Sequence, residues 1–572
     1  MAIGSVSEKL RLMRLLARSY SKSSLKWFST GLLSRRAMVG PAPARLLIAP
    51  QDLRTADAFN ASDIYAGRFL FAGQLVETES KSPFTIKSPG DDWSRSLHGF
   101  SWLRHLRAAG THVARKNARA LVEDWIKECG NGHTIGWKQD VIARRVLSWL
   151  SQSPMLLDGC DAQFYRRFMR SMYRQVRYLR RSMAYAPDGV PRLTIAMAIA
   201  CAYLCMEAQS KSLARALSQL DDELKRQLLP DGGHISRNPS ALVEILVDLL
   251  PLRQAIVMRG QSPTPVMMES IDRMMPMLRF FRHGDGTFAH FNGMASTQAD
   301  LVATILAYDD ARGTAPASAP YSGYQRLSCN GALALIDCGA PPPIAHSSAA
   351  HAGCLAFEFS SRRNRIIVNC GVSARQKSQW RNVARSTAAH STVGINDTSS
   401  CHILTGSRFE NRIGTPVLSG PRAVAIERND TELYEKLSAS HDGYSKRFHL
   451  LHERELTLSK DGTVLDGSDH FTWTQQKRGA CEYAIRFHLH PQVKCSPVQS
   501  GQAIILQCDD GEGWEFSAEG HKLSLEESIY LSDAFGHRRT SQIVIESRVT
   551  EHDRINWMLR KTSEGKGRRK SS

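Results

Sequence analysis

Residues 309–324, DDARGTAPASAPYSGY, divide the chain into two halves with different hydrophobic periods. The stretch is rich in Ala, Pro, Ser and Gly, the composition of a linker, and we place the linker at 311–324. Upstream of it apolar residues recur at helical spacing. Ala118, Leu121, Val122, Trp125 and Ile126 form one stripe; Ile142, Val146, Trp149 and Leu150 a second; Phe164, Phe168, Met172, Val176 and Leu179 a third. Each predicts a helix with one buried face. Further helices are expected near 190–208, 211–229, 239–258, 264–282 and 297–308, separated by breaks such as Pro230-Asp231-Gly232-Gly233. Helices joined by short connections predict a bundle, solenoid or toroid. Downstream the runs shorten to Cys354–Ser360, Arg365–Cys370, Ser391–Ile395, Tyr483–His490, Ala503–Gln507 and Ser541–Glu546. Asn330-Gly331 and Asp461-Gly462 are hairpin-turn signals. Short strands after a run of helices predict a separate antiparallel β-sandwich.

The composition is that of a globular chain: 572 residues, 42% hydrophobic and 23% charged. A fully disordered chain, a collagen-like fibre and a disulfide mini-scaffold are excluded on that ground. Lys and Arg number 74 against 55 Asp and Glu, a formal net charge of +19. Such an excess points to a polyanionic partner. Most of it is terminal: residues 1–50 carry +8 and 560–572 carry +5, leaving +6 on 51–559. Lys9, Arg11, Arg14, Arg18, Lys22 and Lys26 interrupt every apolar run at the N-terminus, so no secretory signal is expected. Two readings of this arm stand: a frayed basic segment, or an amphipathic helix over Leu10–Trp27 making peripheral contact with an anionic membrane. The most apolar stretch, Leu193–Met206, is too short to span a bilayer. Twelve cysteines show neither CxxC pairs nor zinc spacing, which predicts reduced, mostly buried thiols.

Three clusters bear chemistry. In Asp231-Gly232-Gly233-His234-Ile235-Ser236-Arg237-Asn238-Pro239, His234, Arg237 and Asn238 suit a carboxylate, and the same residues suit a helix-entry loop. Arg282-His283-Gly284-Asp285-Gly286 is a polar loop after an apolar helix, and Asp285-Gly286 also reads as a plain turn. Arg385-Ser386-Thr387-Ala388-Ala389-His390-Ser391 places His390 at a strand start, downstream of His351. A lone histidine at such a place is usually a satisfied structural residue. Separately, Arg167, Arg170, Arg174, Arg177 and Arg181 line one helix face, which either meets a polyanion or is simply solvated. No finger spacing, basic zipper or RNA motif supports specific nucleic-acid binding.

With PDGGHISRNP at 230–239, FRHGDG at 281–286, HAGCLAFEF and RIIVNCG within 351–371, RSTAAHSTV at 385–393, HDGY at 441–444 and RFHLHP at 486–491, the sequence resembles the heparinase II/III family of polysaccharide lyases. The resemblance covers roughly residues 100–550. It implies an incomplete α/α toroid, placed over 51–310, and a heparinase II/III-like β-sandwich, placed over 325–559; the basic segments at 1–50 and 560–572 flank them. It also implies a bacterial lyase cleaving a uronic-acid polysaccharide such as a glycosaminoglycan by β-elimination, in a groove between the domains. A cation or amide neutralises the uronate, a base removes the C5 proton and an acid protonates O4. His234, His390 and Tyr444 are then the catalytic candidates. Arg192, Arg237, Asn238, His283 and Arg385 are the substrate-binding candidates. No cofactor is required, although His351 and His390 could hold a divalent metal such as zinc. The family is often exported to the cell envelope or periplasm; the thiols suit a cytoplasmic alternative.

The sequence also departs from the family. Pro191 and Arg192 stand where lyases usually carry Asn-His, Ala241 where they carry Tyr, and Asn369 where an Asp often follows. The family's HxHxD element reads Ala349-Ala350-His351-Ala352-Gly353. A non-catalytic glycan-binding or envelope-polysaccharide accessory protein on the same fold is therefore the alternative to the lyase.

Overall fold

A computed structural model describes residues 6–30, 42–79, 81–130, 135–207, 210–308, 313–373, 378–407, 409–475, 479–498, 501–533, 536–549 and 553–565. The helical stripes fold as their spacing predicts. The 164–179 stripe lies in the helix Ala162–Ser182, which Asp161 caps by accepting the amides of Gln163 and Phe164. The other principal helices of this half are His112–Glu128, Gln139–Ser151, Val190–Cys205, Ser210–Gln227, Ser240–Met258 and Pro265–Phe280. The helices Val190–Cys205 and Ser240–Met258 are apolar nearly all round and lie buried inside the ring. Aromatic residues fill the first part of the core, with Phe100, Trp125 and Trp149 meeting edge to face at 5.4 to 6.3 Å. Arg145 is fully buried among them, its guanidinium 3.8 Å over the Trp125 ring and bonded to the carbonyls of His98 and Gly136.

The second half is two packed antiparallel sheets. One has eight strands, running from Val424–Asp430 at one edge to Lys494–Val498 at the other. The other has nine strands, from Ser524–Asp533 to Ser318–Ala319. Phe357, Phe487, Trp514, Phe516 and Trp557 fill the space between them. The fold is thus an incomplete α/α toroid followed by an antiparallel β-sandwich.

Two expectations are revised at the edges. The linker ends earlier than its composition suggests: Ser318–Ala319 already pairs with Tyr324–Cys329, and Ser322 bonds Asp231 of the toroid. The basic arm contains a docked helix, Val6–Thr30, in which Leu12 is buried. At the other end, Arg560 and Lys561 lie in the strand Arg554–Ser563, and the rest of the basic tail beyond 565 falls outside the described residues.

Candidate functional site: the toroid–sandwich junction

The loops carrying the motifs dock the domains together. A Cβ on Gly233 would lie 1.9 Å from Ser322 Oγ, and one on Gly284 would lie 1.7 Å from the Arg362 carbonyl. Only glycine permits these approaches.

Arg237, predicted to bind substrate, is the centre of this docking. With φ at +60°, it turns its guanidinium into the sandwich. Nε donates to the Ser322 carbonyl at 2.7 Å, and Nη1 to those of Gly339 and Ala340 at 3.0 and 2.9 Å. Nη2 donates to the Gly323 carbonyl and to Asp337. Tyr324 returns a hydroxyl bond of 2.6 Å to the Arg237 carbonyl. Asn238 Oδ1 accepts the Ser240 amide at 2.9 Å, which opens the next helix.

His234 is 2% exposed. The Ser236 amide donates to Nδ1, so the proton sits on Nε2 and goes to Gln227 Oε1 at 3.0 Å. Burial, aided by the neighbouring His346, lowers its pKa to about 3. His390 is 1% exposed, and burial lowers it to about 4. Its Nδ1–H donates to the Ser386 carbonyl at 2.7 Å, so Nε2 accepts the Nδ1–H of His351 at 2.9 Å. Tyr444, also 1% exposed, donates its hydroxyl to the Val393 carbonyl, and burial pushes its pKa up.

His283 bonds Ser360 and Glu358. Arg385 donates to the carbonyls of Ala350 and Ser347 and to Thr415, and burial lowers its pKa to about 10. Arg192 donates to the Ala186 carbonyl at 2.8 Å and pairs with Asp188 at 3.1 Å. Burial lowers its pKa, opposed by Asp188 and Glu223. Most of these polar groups thus have partners within the protein, although the Arg192 Nε has none among the described residues. The structure brings His351 to His390, but His234 and Tyr444 join other networks.

The expected metal pair does not fit a metal. Zinc needs lone pairs that converge on one point, usually with further ligands. Here a proton lies between the two rings, and the Asn369 Oδ1 accepts the Ser391 amide N–H. Among the described residues no group of three His, Cys, Asp or Glu could hold a metal.

Sequence reasoning missed Glu358, the hub of the junction. It is fully buried, accepts the amides of His290 and Asn369, and pairs with Arg365 and His283. Its signal was a carboxylate between two phenylalanines in FEF at 357–359. The arginine row on Ala162–Ser182 is partly engaged too: Arg167 pairs with Glu123, Arg174 lies over Trp137 and Arg177 over Tyr173. Within the toroid, a small pocket is lined in part by Asp52, Arg54, Arg144 and Asp248. There Arg54 and Arg144 both chelate Asp248, and none of the candidates contributes.

A toroid closed onto a sandwich through such a junction defines a protein of the polysaccharide-lyase fold. The description heparinase II/III-like, C-terminal, matches residues 311–558. FtsZ-localized protein C of Caulobacter vibrioides is 30% identical over 546 residues, covering 94% of this chain and 93% of that protein. Heparinase III superposes with a TM-score of 0.69 at 12% identity, covering 100% of this chain and 94% of that one. A mutant of the heparan sulfate lyase HepC from Pedobacter heparinus gives 0.63 at 14%, covering 96% and 90%. The chain belongs to the heparinase II/III-like family.

Proposed function

We propose that this chain is a non-catalytic member of its family, a binding body that works where FtsZ works. The observation that carries this reading is the engagement of the candidate acid–base set. β-Elimination needs a base that reaches the C5 proton and an acid that reaches O4. His234, His390 and Tyr444 are 1–2% exposed, and their polar atoms are bonded within the fold. Protonation of a histidine lowered to about 3 is also disfavoured at neutral pH, so it is a weak base there. The substitutions at Arg192, Ala241 and Asn369 point the same way, as does the name of the 30%-identical relative. The twelve cysteines are all free and ten are buried, which supports a reducing compartment.

The test has two arms. Purified chain incubated with heparan sulfate or chondroitin sulfate is expected to produce no ultraviolet absorbance of an unsaturated uronate. A fluorescent fusion is expected to coincide with FtsZ in cells. Turnover that is lost in both His234→Ala and His390→Ala would establish the lyase instead.

A second reading concerns the N-terminal helix. Val6, Leu10 and Met13 fall at i, i+4 and i+7, share one face, and are 75, 48 and 59% exposed. Lys9 and Arg14 flank them. An exposed apolar stripe with basic borders suits a peripheral contact with an anionic membrane. No helix among the described residues is long and apolar enough to cross one. The chain is expected to sediment with vesicles containing phosphatidylglycerol and not with phosphatidylcholine alone. A Leu10→Asp/Met13→Asp variant should lower the bound fraction several-fold; equal sedimentation of variant and parent would reject the contact.

A further inference from the structure

The inner face of the same helix does something different. On the sandwich side, Glu8 accepts the Ser419 hydroxyl and lies 3.3 Å from His402 Nδ1. Arg11 donates to the Leu418 carbonyl at 2.7 Å. Leu12 is buried with Leu404 and Leu418, and Leu16, Ile344 and Ile413 pack around them. The Arg412 guanidinium covers the Tyr20 ring at 3.6 Å. On the toroid side, Arg18 pairs with Asp188 at 3.5 Å, and the helix packs against Ala162–Ser182 and Met183–Tyr185.

Asp188 marks the seam between the domains. It precedes Gly189, where a Cβ would lie 3.5 Å from the His346 ring of the sandwich. It also holds Arg192 at 3.1 Å and Arg226 at 3.5 Å. The helix therefore crosses the line along which the toroid rim meets the sandwich, with contacts from residue 8 to residue 20. The acidic side chain on the rim meets a basic helix, so the chain itself supplies the cation that faces this end of the junction.

We infer that the helix Val6–Thr30 is an interdomain strap. It docks on toroid and sandwich together and shuts this end of their junction, so that release from one domain releases it from the other. Its attachment is modest in size. Leu12 is its one buried apolar side chain among the described residues, and Arg18 of the Asp188 pair is more than half exposed. A segment held so lightly opens before the core does. The strap rests on the inner-face contacts alone and holds under either reading of the function.

Hydrogen exchange of the full chain tests it, using two variants whose main contacts lie on different domains. Leu12→Asp removes the packing against Leu404 and Leu418 of the sandwich; Arg18→Glu removes the pair with Asp188 of the toroid. A strap requires each variant to speed exchange about ten-fold or more in both footprints, 183–192 and 402–419, because opening is cooperative. The strands Leu450–Ser459 and Val464–Trp473 should keep their protection and thereby report an intact fold. Acceleration confined to the footprint on the substituted side, or absent from both, overturns the strap. Should Leu12→Asp weaken the core strands, Leu12→Ala makes the same comparison with a smaller perturbation.

Discussion

Arg237→Met is expected to destabilise the chain by about 3–5 kcal/mol, because it breaks a buried ion pair by removing one partner. Arg237 is 8% exposed, and its guanidinium bonds four carbonyls and Asp337. Burial works against its charge, but Asp337 more than offsets this and the pKa is raised. Methionine fills much of the same volume, so a cavity is not the main loss. What remains is a buried carboxylate with Asn292 Nδ2 at 2.9 Å and the Gly339 amide at 3.2 Å as its contacts, beside unpaired carbonyls. The cost should appear as a lower denaturant midpoint. Asp337→Asn in the same chain should recover part of it, because the stranded charge is then gone. A loss below about 1 kcal/mol, or no recovery in the double variant, would show that the pair does not hold the junction.

The Arg237 pair also shows where the sequence was legible and where it was not. Arg237 beside Asn238 was read as a site for a substrate carboxylate, and in the structure Arg237 alone of the two meets a carboxylate. The carboxylate, however, is the protein's own, 100 residues downstream. Local spacing cannot locate a partner that only the fold brings near. Arg192 differs, because its acid is Asp188, four residues upstream and within the reach of local spacing. Periodicity fared better because it depends on neighbours in the chain. The 503–507 run is a strand over the same residues, and the 211–229 expectation became Ser210–Gln227. Glu358 marks the limit of that approach. Alternation in FEF sends the glutamate to the face opposite Phe357 and Phe359, which for a half-exposed sheet is the wet face. Here the toroid loop carrying His283 and His290 covers that face, so the whole strand Phe357–Ser361 is buried. The N-terminal helix was legible as amphipathic, but its docking was not. Its inner contacts are with residues near 188 and 402–419, far away in the chain.

The buried histidines predict acid sensitivity. Burial lowers His390 to about 4; burial with Arg145 nearby lowers His98 to about 4. Burial with His346 nearby lowers His234 to about 3, and burial with His390 nearby lowers His488 to about 3. All four are at most 7% exposed. In the unfolded chain each takes up a proton as pH falls through about 6.5, whereas the folded chain takes it up only near 3–4. The unfolded state therefore binds more protons between those values. The stabilisation is complete above the unfolded pKa and is lost as pH falls toward the folded ones. At pH 4.5 each group costs on the order of 2 kcal/mol, and four together are comparable with a typical total stability of about 5–15 kcal/mol. Near-ultraviolet circular dichroism is expected to show cooperative loss of tertiary structure between about pH 5.5 and 4. His488→Gln removes one of these protonation sites, so its midpoint measured from an equally stable starting state should move to lower pH. A chain that keeps its near-ultraviolet signal and its neutral-pH denaturant midpoint at pH 4 would mean that these histidines are hydrated in solution. The closed junction, on which the non-catalytic reading depends, would fall with that result.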